Sequence, residues 1–406
     1  MIPESFRRPC RWQLTIALLV MPLPAPSAEA LAHSDRLARH IRDEILGQGG
    51  WISLSRYMEL ALYAPGLGYY MAGARKLGRE GDFVTAPEIS PLFGETLARQ
   101  VAQVLEAGTK EVLEIGAGSG ALAASLLAEL ERLACLPERY LILELSADLR
   151  ERSRDTIAAR APHLMERVAW LNRLPPSFSG VVLGNEVLDA MPVHQVRVSD
   201  QGIEESGVRV LHDGSFGWAW RAAGGELLQA ASKLKLPPGY STEIGLIARA
   251  FVRSLAESLE RGVAIFIDYG FPQHEYFHPQ RATGTLMCHY RHHAHGDPFF
   301  LPGLQDITSH VDFSAIAETG VNAGMELLGY ATQAQFLVNC GITEVLGRVP
   351  VEDVERYLPL SNQANRLMSP AEMGELFKVV AFGKGLEAEF EGALIGFKSG
   401  DRRHTL

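Results

Sequence analysis

The chain has 406 residues, 48 acids against 38 basic side chains, a formal net charge of −10 and 47% hydrophobic residues. That length suggests roughly two domains' worth of chain with room for insertions. The acidic balance argues against broad nucleic-acid binding while leaving room for a basic protein or peptide substrate. The four cysteines, at 10, 135, 288 and 340, form no CxxC pair, so neither a zinc knuckle nor a disulfide framework is indicated.

Residues 1–30 hold early arginines, an apolar stretch from Trp12 to Leu23 and then small residues. This has the shape of a secretory leader. It is too short and too proline-broken for a membrane span of ~20 residues, so no stable membrane insertion is expected. An initiator nearer Met21, or an Arg-rich organelle leader, would explain it too. The remainder of the chain suits a cytosol-like compartment, so residues 1–30 are read as a dispensable leader or a misplaced start. The alternative is the mitochondrial matrix, if the leader is a transit peptide.

From Leu31 to Leu62 the apolar spacing is helical, with Leu37, Ile41, Ile45 and Leu46 recurring at i, i+4, i+8 and i+9. A glycine- and aromatic-rich loop follows Pro65-Gly66, with a new helix from Pro91. Residues 31–100 are therefore expected to form an N-terminal helical and covering segment. Beyond it, "EVLEI" (111–115), "YLILEL" (140–145), "RVAWL" (167–171), "GVVLGN" (180–185) and "GVAIFIDYG" (262–270) read as strands separated by helices. Such alternation implies right-handed crossovers and an α/β fold with a mostly parallel sheet covered on both faces. This core is assigned to 101–193 and 241–390. Between them, 194–240 alternates Val, Trp and Phe around "GSFGWAW" and is expected to be an inserted antiparallel ribbon. "LFKVVAFGKG" (376–385) reads as a late strand, and 391–406 as a tail.

The first strand runs into "GAGSG", with Gly116, Gly118 and Gly120 opening a helix. Glycines there allow a sharp turn and let a ligand approach the helix N-terminus. The same letters satisfy a dinucleotide pattern through Ala121, so a nicotinamide-dependent oxidoreductase competes, as does a plain turn with no ligand. Three details favour S-adenosylmethionine. Glu114 at the strand end would repel a pyrophosphate but hold an ammonium. Gly120 completes G-x-G-x-G. Glu144 ends the next strand, where a carboxylate suits a ribose diol.

The strand at 180–185 ends on Asn185 and Glu186, with Asp189 three positions on. In a methyltransferase this tip faces the methyl group and its acceptor. Methyl transfer is an in-line displacement, so positioning supplies much of the catalysis. Asn185 could hold a neutral amine, whereas Glu186 and Asp189 could grip a guanidinium. At helical spacing the two carboxylates would share one face. The blander alternative makes them helix-start acids.

The motifs taken together resemble the MidA-like methyltransferases, a family that includes a mitochondrial complex I assembly factor. The matching stretches are "GDFVTAPEISPLFGE" (81–95), "EIGAGSGALA" (114–123), "LELSADLR" (143–150), "GNEVLDAMPVH" (184–194), "IDYG" (267–270), "GTL" (284–286), "DITSHVDF" (306–313) and "TQAQFL" (332–337). The resemblance implies a class I (Rossmann-like) fold with a seven-stranded sheet, S-adenosyl-L-methionine as cofactor, and arginine methylation of a protein such as a respiratory complex I subunit. It also implies Glu114, Gly116, Gly118 and Gly120 at the methionine end, Glu144 at the ribose, and Asn185 and Glu186 on the acceptor side. Thr85, Ala86, Pro87 and Glu88 would fold over the cofactor, with Arg79 and Asp82 ordering that loop. A non-catalytic assembly protein with the same fold is the alternative.

Two further clusters invite a role. "CHYRHHAHGDP" holds four histidines beside Cys288 and Asp297, but no helical His-x-x-x-His spacing. No metal is expected there, and His295 and Asp297 are read as pocket-shaping or loop residues. In "DITSHVDF", His310 with a neighbouring Asp is a candidate proton acceptor. Asp306 also suits a helix cap.

Overall fold

The N-terminal helical pattern separates into α1 (Ala28–Gly47) and α2 (Leu54–Tyr63), with a two-residue strand, β1 (Ile52–Ser53), between them. The computed structural model describes residues 23–72, 84–386 and 393–406. Residues 1–22, Arg79 and Asp82 lie outside these. Ser27 caps α1 by accepting the Ala30 amide at 3.2 Å, so the helix starts inside the segment read as a leader. Leu37, Ile41 and Ile45 are buried, but Leu46 is 66% exposed. One residue is a 100° step around a helix, which carries Leu46 off the buried stripe.

Next come α3 (Ala86–Ile89), α4 (Pro91–Glu106), β2 (Glu111–Ile115), α5 (Ala121–Arg132), β3 (Arg139–Leu143), α6 (Ala147–Arg160), β4 (Val168–Leu171) and β5 (Phe178–Asn185). The segment read as an inserted ribbon, 194–240, contributes β6 (His194–Ser199), β7 (Gly202–Val210), β8 (Phe216–Ala222) and a helix, α7 (Gly225–Lys233), and β9 (Ser241–Ile244) follows just beyond it. After α8 (Leu246–Ser258) and β10 (Leu259–Phe271) come the short strands β11 (Met287–Tyr290), β12 (His293–His295), β13 (Asp306–Thr308) and β14 (Val311–Asp312). The edge strand β15 (Glu326–Thr332) and its inner neighbour β16 (Phe377–Lys384) finish the set.

The main sheet has the order β15-β16-β10-β5-β2-β3-β4, with β14 added on β10. Its strands run parallel except β16, which is antiparallel to both neighbours. Alternate residues enter opposite cores: Val112, Ile142 and Val181 pack on one face, Leu113, Leu141 and Val182 on the other. That is the two-sided burial expected of a parallel sheet. From β2 the chain winds through β3 to β4 and then returns to β5 on the far side. A crevice therefore opens at the carboxyl ends of β2 and β5. The register is decisive, because Ile115 pairs with Gly184 and Asn185 with Ile267. The glycine turn, the acidic tip and Asp268 within β10 thus lie at one level on three neighbouring strands.

A second sheet, β1-β7-β6-β9 with β8 on β7, is antiparallel. It draws in β1 from the N-terminal segment as well as the ribbon strands. The histidine-rich stretch expected to be a loop is instead part of the antiparallel sheet β12-β11-β13. Its turn places Arg291 and His292 at φ 47° and 64°, where a hairpin ordinarily uses Asn or Gly. Asp306 lies in β13 and caps no helix. Asp312 takes that role, accepting the Ala315 amide at 3.1 Å.

Candidate active site

A cleft of about 690 Å³ opens above β2 and β5. Its floor begins with the glycine turn. Gly116 (φ 68°) and Gly118 (φ 54°) are left-handed, a conformation that costs other L-residues roughly 1–2 kcal/mol. Both line the cleft. Gly120 does not. It is also left-handed, and a Cβ there would stand 2.7 Å from Ser153 Cα. The third glycine of the motif serves the contact between α5 and α6 rather than a ligand.

Glu114 and Glu144 end adjacent strands and face the same space. One Glu114 oxygen accepts the Tyr140 hydroxyl at 2.7 Å. Burial pushes its pKa up to about 7 against that hydrogen bond, and the Glu144 charge adds to the rise. Glu144 accepts the Ser146 amide at 3.0 Å through one oxygen. Burial raises its pKa too, opposed by backbone amides of the turn. Leu145, Leu149, Leu174, Ile247 and Phe251 supply an apolar wall beyond these acids.

The covering segment reaches the floor from above. Thr85, Pro87 and Glu88 line the cleft. The Ser119 hydroxyl donates to Glu88 Oε1, tying the α3 turn to the glycine turn. The Ala86 amide points at Glu186 Oε1, 3.4 Å away.

At the tip of β5 the chain turns without forming a helix before β6, so the expected shared helical face of Glu186 and Asp189 does not exist. Glu186 has φ 54°, a strained value for a side-chain-bearing residue, and turns its carboxylate into the cleft. It accepts Asn185 Nδ2 at 3.1 Å, while Asn185 Oδ1 has no partner among the described residues. Burial, then the Asp189 charge, pushes Glu186 up to about 8. Asp189 lies behind the tip, outside the cleft lining and only 5% exposed. Its pKa is raised to about 6 by burial, against a hydrogen bond from Tyr269. It acts on Glu186 through charge.

Three residues that sequence reasoning missed complete this end. Asp268 Oδ2 accepts the amides of Val187, Leu188 and Asp189 at 3.1, 2.8 and 3.3 Å. It therefore holds the whole tip. The signal was its place in "IDYG", one residue beyond the position that pairs with Asn185. Tyr63 and Tyr70, from α2 and the following turn, line the cleft as well. No local pattern marks them, because their neighbours at the tip are more than a hundred residues away.

His310 is not brought to this cleft. It lines a separate cavity of about 30 Å³ with Glu243, Arg249 and Asp312. Its ring packs against Tyr269 and Phe271, each 5.3 Å away. Burial pushes its pKa down to about 4. Among the described residues no group of three His, Cys, Asp or Glu converges as a metal site. His295 instead sets its ring on Phe300 at 5.4 Å.

The cleft therefore offers an acid for a cationic head, a carboxylate oxygen for a diol, an apolar slot for a flat ring, and left-handed glycines that leave room between them. S-adenosyl-L-methionine has these parts in this order. The strand order with one reversed strand beside the last parallel one is that of a class I S-adenosylmethionine-dependent methyltransferase.

Comparison with known proteins leads to the same place. Residues 96–331 match the family described as "Putative S-adenosyl-L-methionine-dependent methyltransferase", and the chain belongs to that family. A protein of Burkholderia thailandensis crystallised with S-adenosyl-homocysteine is 55% identical, with a TM-score of 0.91 over 95% of this chain and 100% of that one. The mitochondrial protein arginine methyltransferase NDUFAF7 homolog of Drosophila melanogaster is 31% identical over 95% of this chain and 94% of its own. The mouse protein arginine methyltransferase NDUFAF7, also mitochondrial, is 29% identical over 85% and 84%. The fold and the methyl donor are thereby settled, and no helix among the described residues is long and apolar enough to cross a membrane.

Proposed function

We propose that the chain methylates arginine on a protein substrate, a respiratory-chain subunit being the kind of acceptor that its resemblance suggests. The observation that carries this reading is the Glu186 carboxylate. It is half-buried in the cleft lining, beside Asp189 and Asp268, whose charges oppose its ionisation. A guanidinium brings positive charge to this group of acids and can donate to Glu186 and to the open Asn185 Oδ1.

The bound cofactor supplies an electrophilic methyl group on a sulfonium. Glu114 and Glu144 fix its two ends, and the glycine turn keeps its path clear. Glu186 and Asn185 aim one guanidinium nitrogen at the methyl carbon. The acceptor nitrogen would give up a proton on taking the methyl group, and Glu186 lines the cleft there as the base for it. Asp189 raises the proton affinity of Glu186, and Asp268 keeps its backbone in place.

The free thiols of Cys135, Cys288 and Cys340 suit a reducing compartment, either cytosol or mitochondrial matrix. The test is mass spectrometry of arginine-containing peptides and candidate partners after incubation with isotope-labelled donor. A label on arginine supports the reading. A label on another side chain, or none despite tight cofactor binding, removes the arginine assignment or leaves a non-catalytic platform.

A further inference from the structure

The N-terminal segment does more than cover the cleft. Ser55, Glu59 and Tyr63 stand at i, i+4 and i+8 on α2, and all three line the cleft. That spacing places them in one row along the helix. At the end of the row the Tyr63 ring stacks on Tyr70, with centroids 5.4 Å apart and planes 23° from parallel. Both rings are pinned. The Tyr63 hydroxyl donates to Ala190 O at 3.0 Å, and the Tyr70 hydroxyl to Asp306 Oδ1 at 2.9 Å. Tyr69 packs edge-on against Tyr70 at 5.0 Å and closes the back of the pair. The partner of the Tyr63 hydroxyl belongs to the same tip that carries Glu186.

We infer that the Tyr63–Tyr70 pair is the specificity element of the acceptor end, an aromatic wall that selects a planar, delocalised cation over a tetrahedral ammonium. This rests on the arginine reading given above and adds the means of selection. Glu186 alone attracts any cation. A guanidinium, being flat and weakly hydrated, can also lie against an aromatic face, whereas a compact ammonium keeps its hydration. With their hydroxyls committed to Ala190 and Asp306, the tyrosines offer the cleft their ring surfaces. They are specificity residues, with no part in the chemical step.

The test uses the full chain saturated with S-adenosyl-homocysteine, with ethylguanidinium and ethylammonium as probes in calorimetric titrations. The wild type should prefer ethylguanidinium by roughly five- to tenfold. Tyr63→Leu and Tyr70→Leu should remove that preference, with S-adenosyl-homocysteine kept saturating for each variant and its fold certified by circular dichroism and thermal unfolding. Tyr63→Phe and Tyr70→Phe keep the ring and should keep most of the preference. If both leucine variants retain it, or the phenylalanine variants lose it, the aromatic wall is refuted. Glu186→Gln separates the two readings. It should weaken both probes alike, and if it weakens neither, the acceptor site itself has been misplaced.

Discussion

Replacing Glu186 by Gln should stabilise the protein while destroying its activity. The side chain sits in a desolvated tip beside Asp189, and its pKa is raised from 4.5 to about 8. A group raised on folding contributes fully below its unfolded value and loses that contribution as the pH climbs through the folded value. For Glu186 the window runs from pH 4.5 to about 8. At pH 7 the unfolded chain has released the proton and the folded chain resists doing so, a linkage cost of at most about 3 kcal/mol. Glutamine has the shape of the protonated acid, and its oxygen can still receive the Asn185 and Ala86 donors. Thermal unfolding midpoints measured from pH 4 to pH 9 should therefore coincide for the two proteins at the acid end. They should separate in favour of Glu186→Gln as the pH rises. Midpoints that track each other across the whole range would mean that Glu186 is solvated, and the account of an acid held protonated by its surroundings and by Asp189 would fail.

Other consequences can be checked separately. Gly118→Val should abolish S-adenosyl-homocysteine binding in calorimetry, since a β-branched side chain at φ 54° would occupy the cleft floor. Gly120→Ala should instead lower the unfolding temperature, because its Cβ meets the Ser153 backbone, while the residual folded protein still binds the ligand. S-adenosyl-homocysteine affinity should fall as the pH drops below about 7, where Glu114 takes up a proton, and Glu114→Gln should flatten that profile. Asp268→Ala should cut kcat with little change in cofactor affinity, since it releases the amides of 187–189 without touching the glycine turn. His310→Gln should leave turnover unchanged, and a large loss would restore it to the reaction.

The lesson of the sequence lies in where its signals were local. The first five parallel strands along the chain, the glycine turn and the acids at two strand ends follow from short apolar runs and the residues that stop them. These are consequences of backbone geometry within a few positions. Strand β15 escaped notice, because an edge strand paired with β16 owes its form to a partner some fifty residues on. The histidine-rich hairpin escaped because its turn uses Arg291 and His292, not the residues that usually mark one.

The sequence by itself determined the first five parallel strands, the glycine turn between the first of them and its helix, and the acids that favour S-adenosylmethionine there, since each depends on residue types adjacent in the chain. Only the tertiary structure decided which carboxylate meets the acceptor. It turned Glu186 inward on a strained backbone, set Asp189 behind it, hung the tip on Asp268 and brought two tyrosines across from another segment. Those choices depend on strand register and on long-range desolvation, which no local pattern encodes.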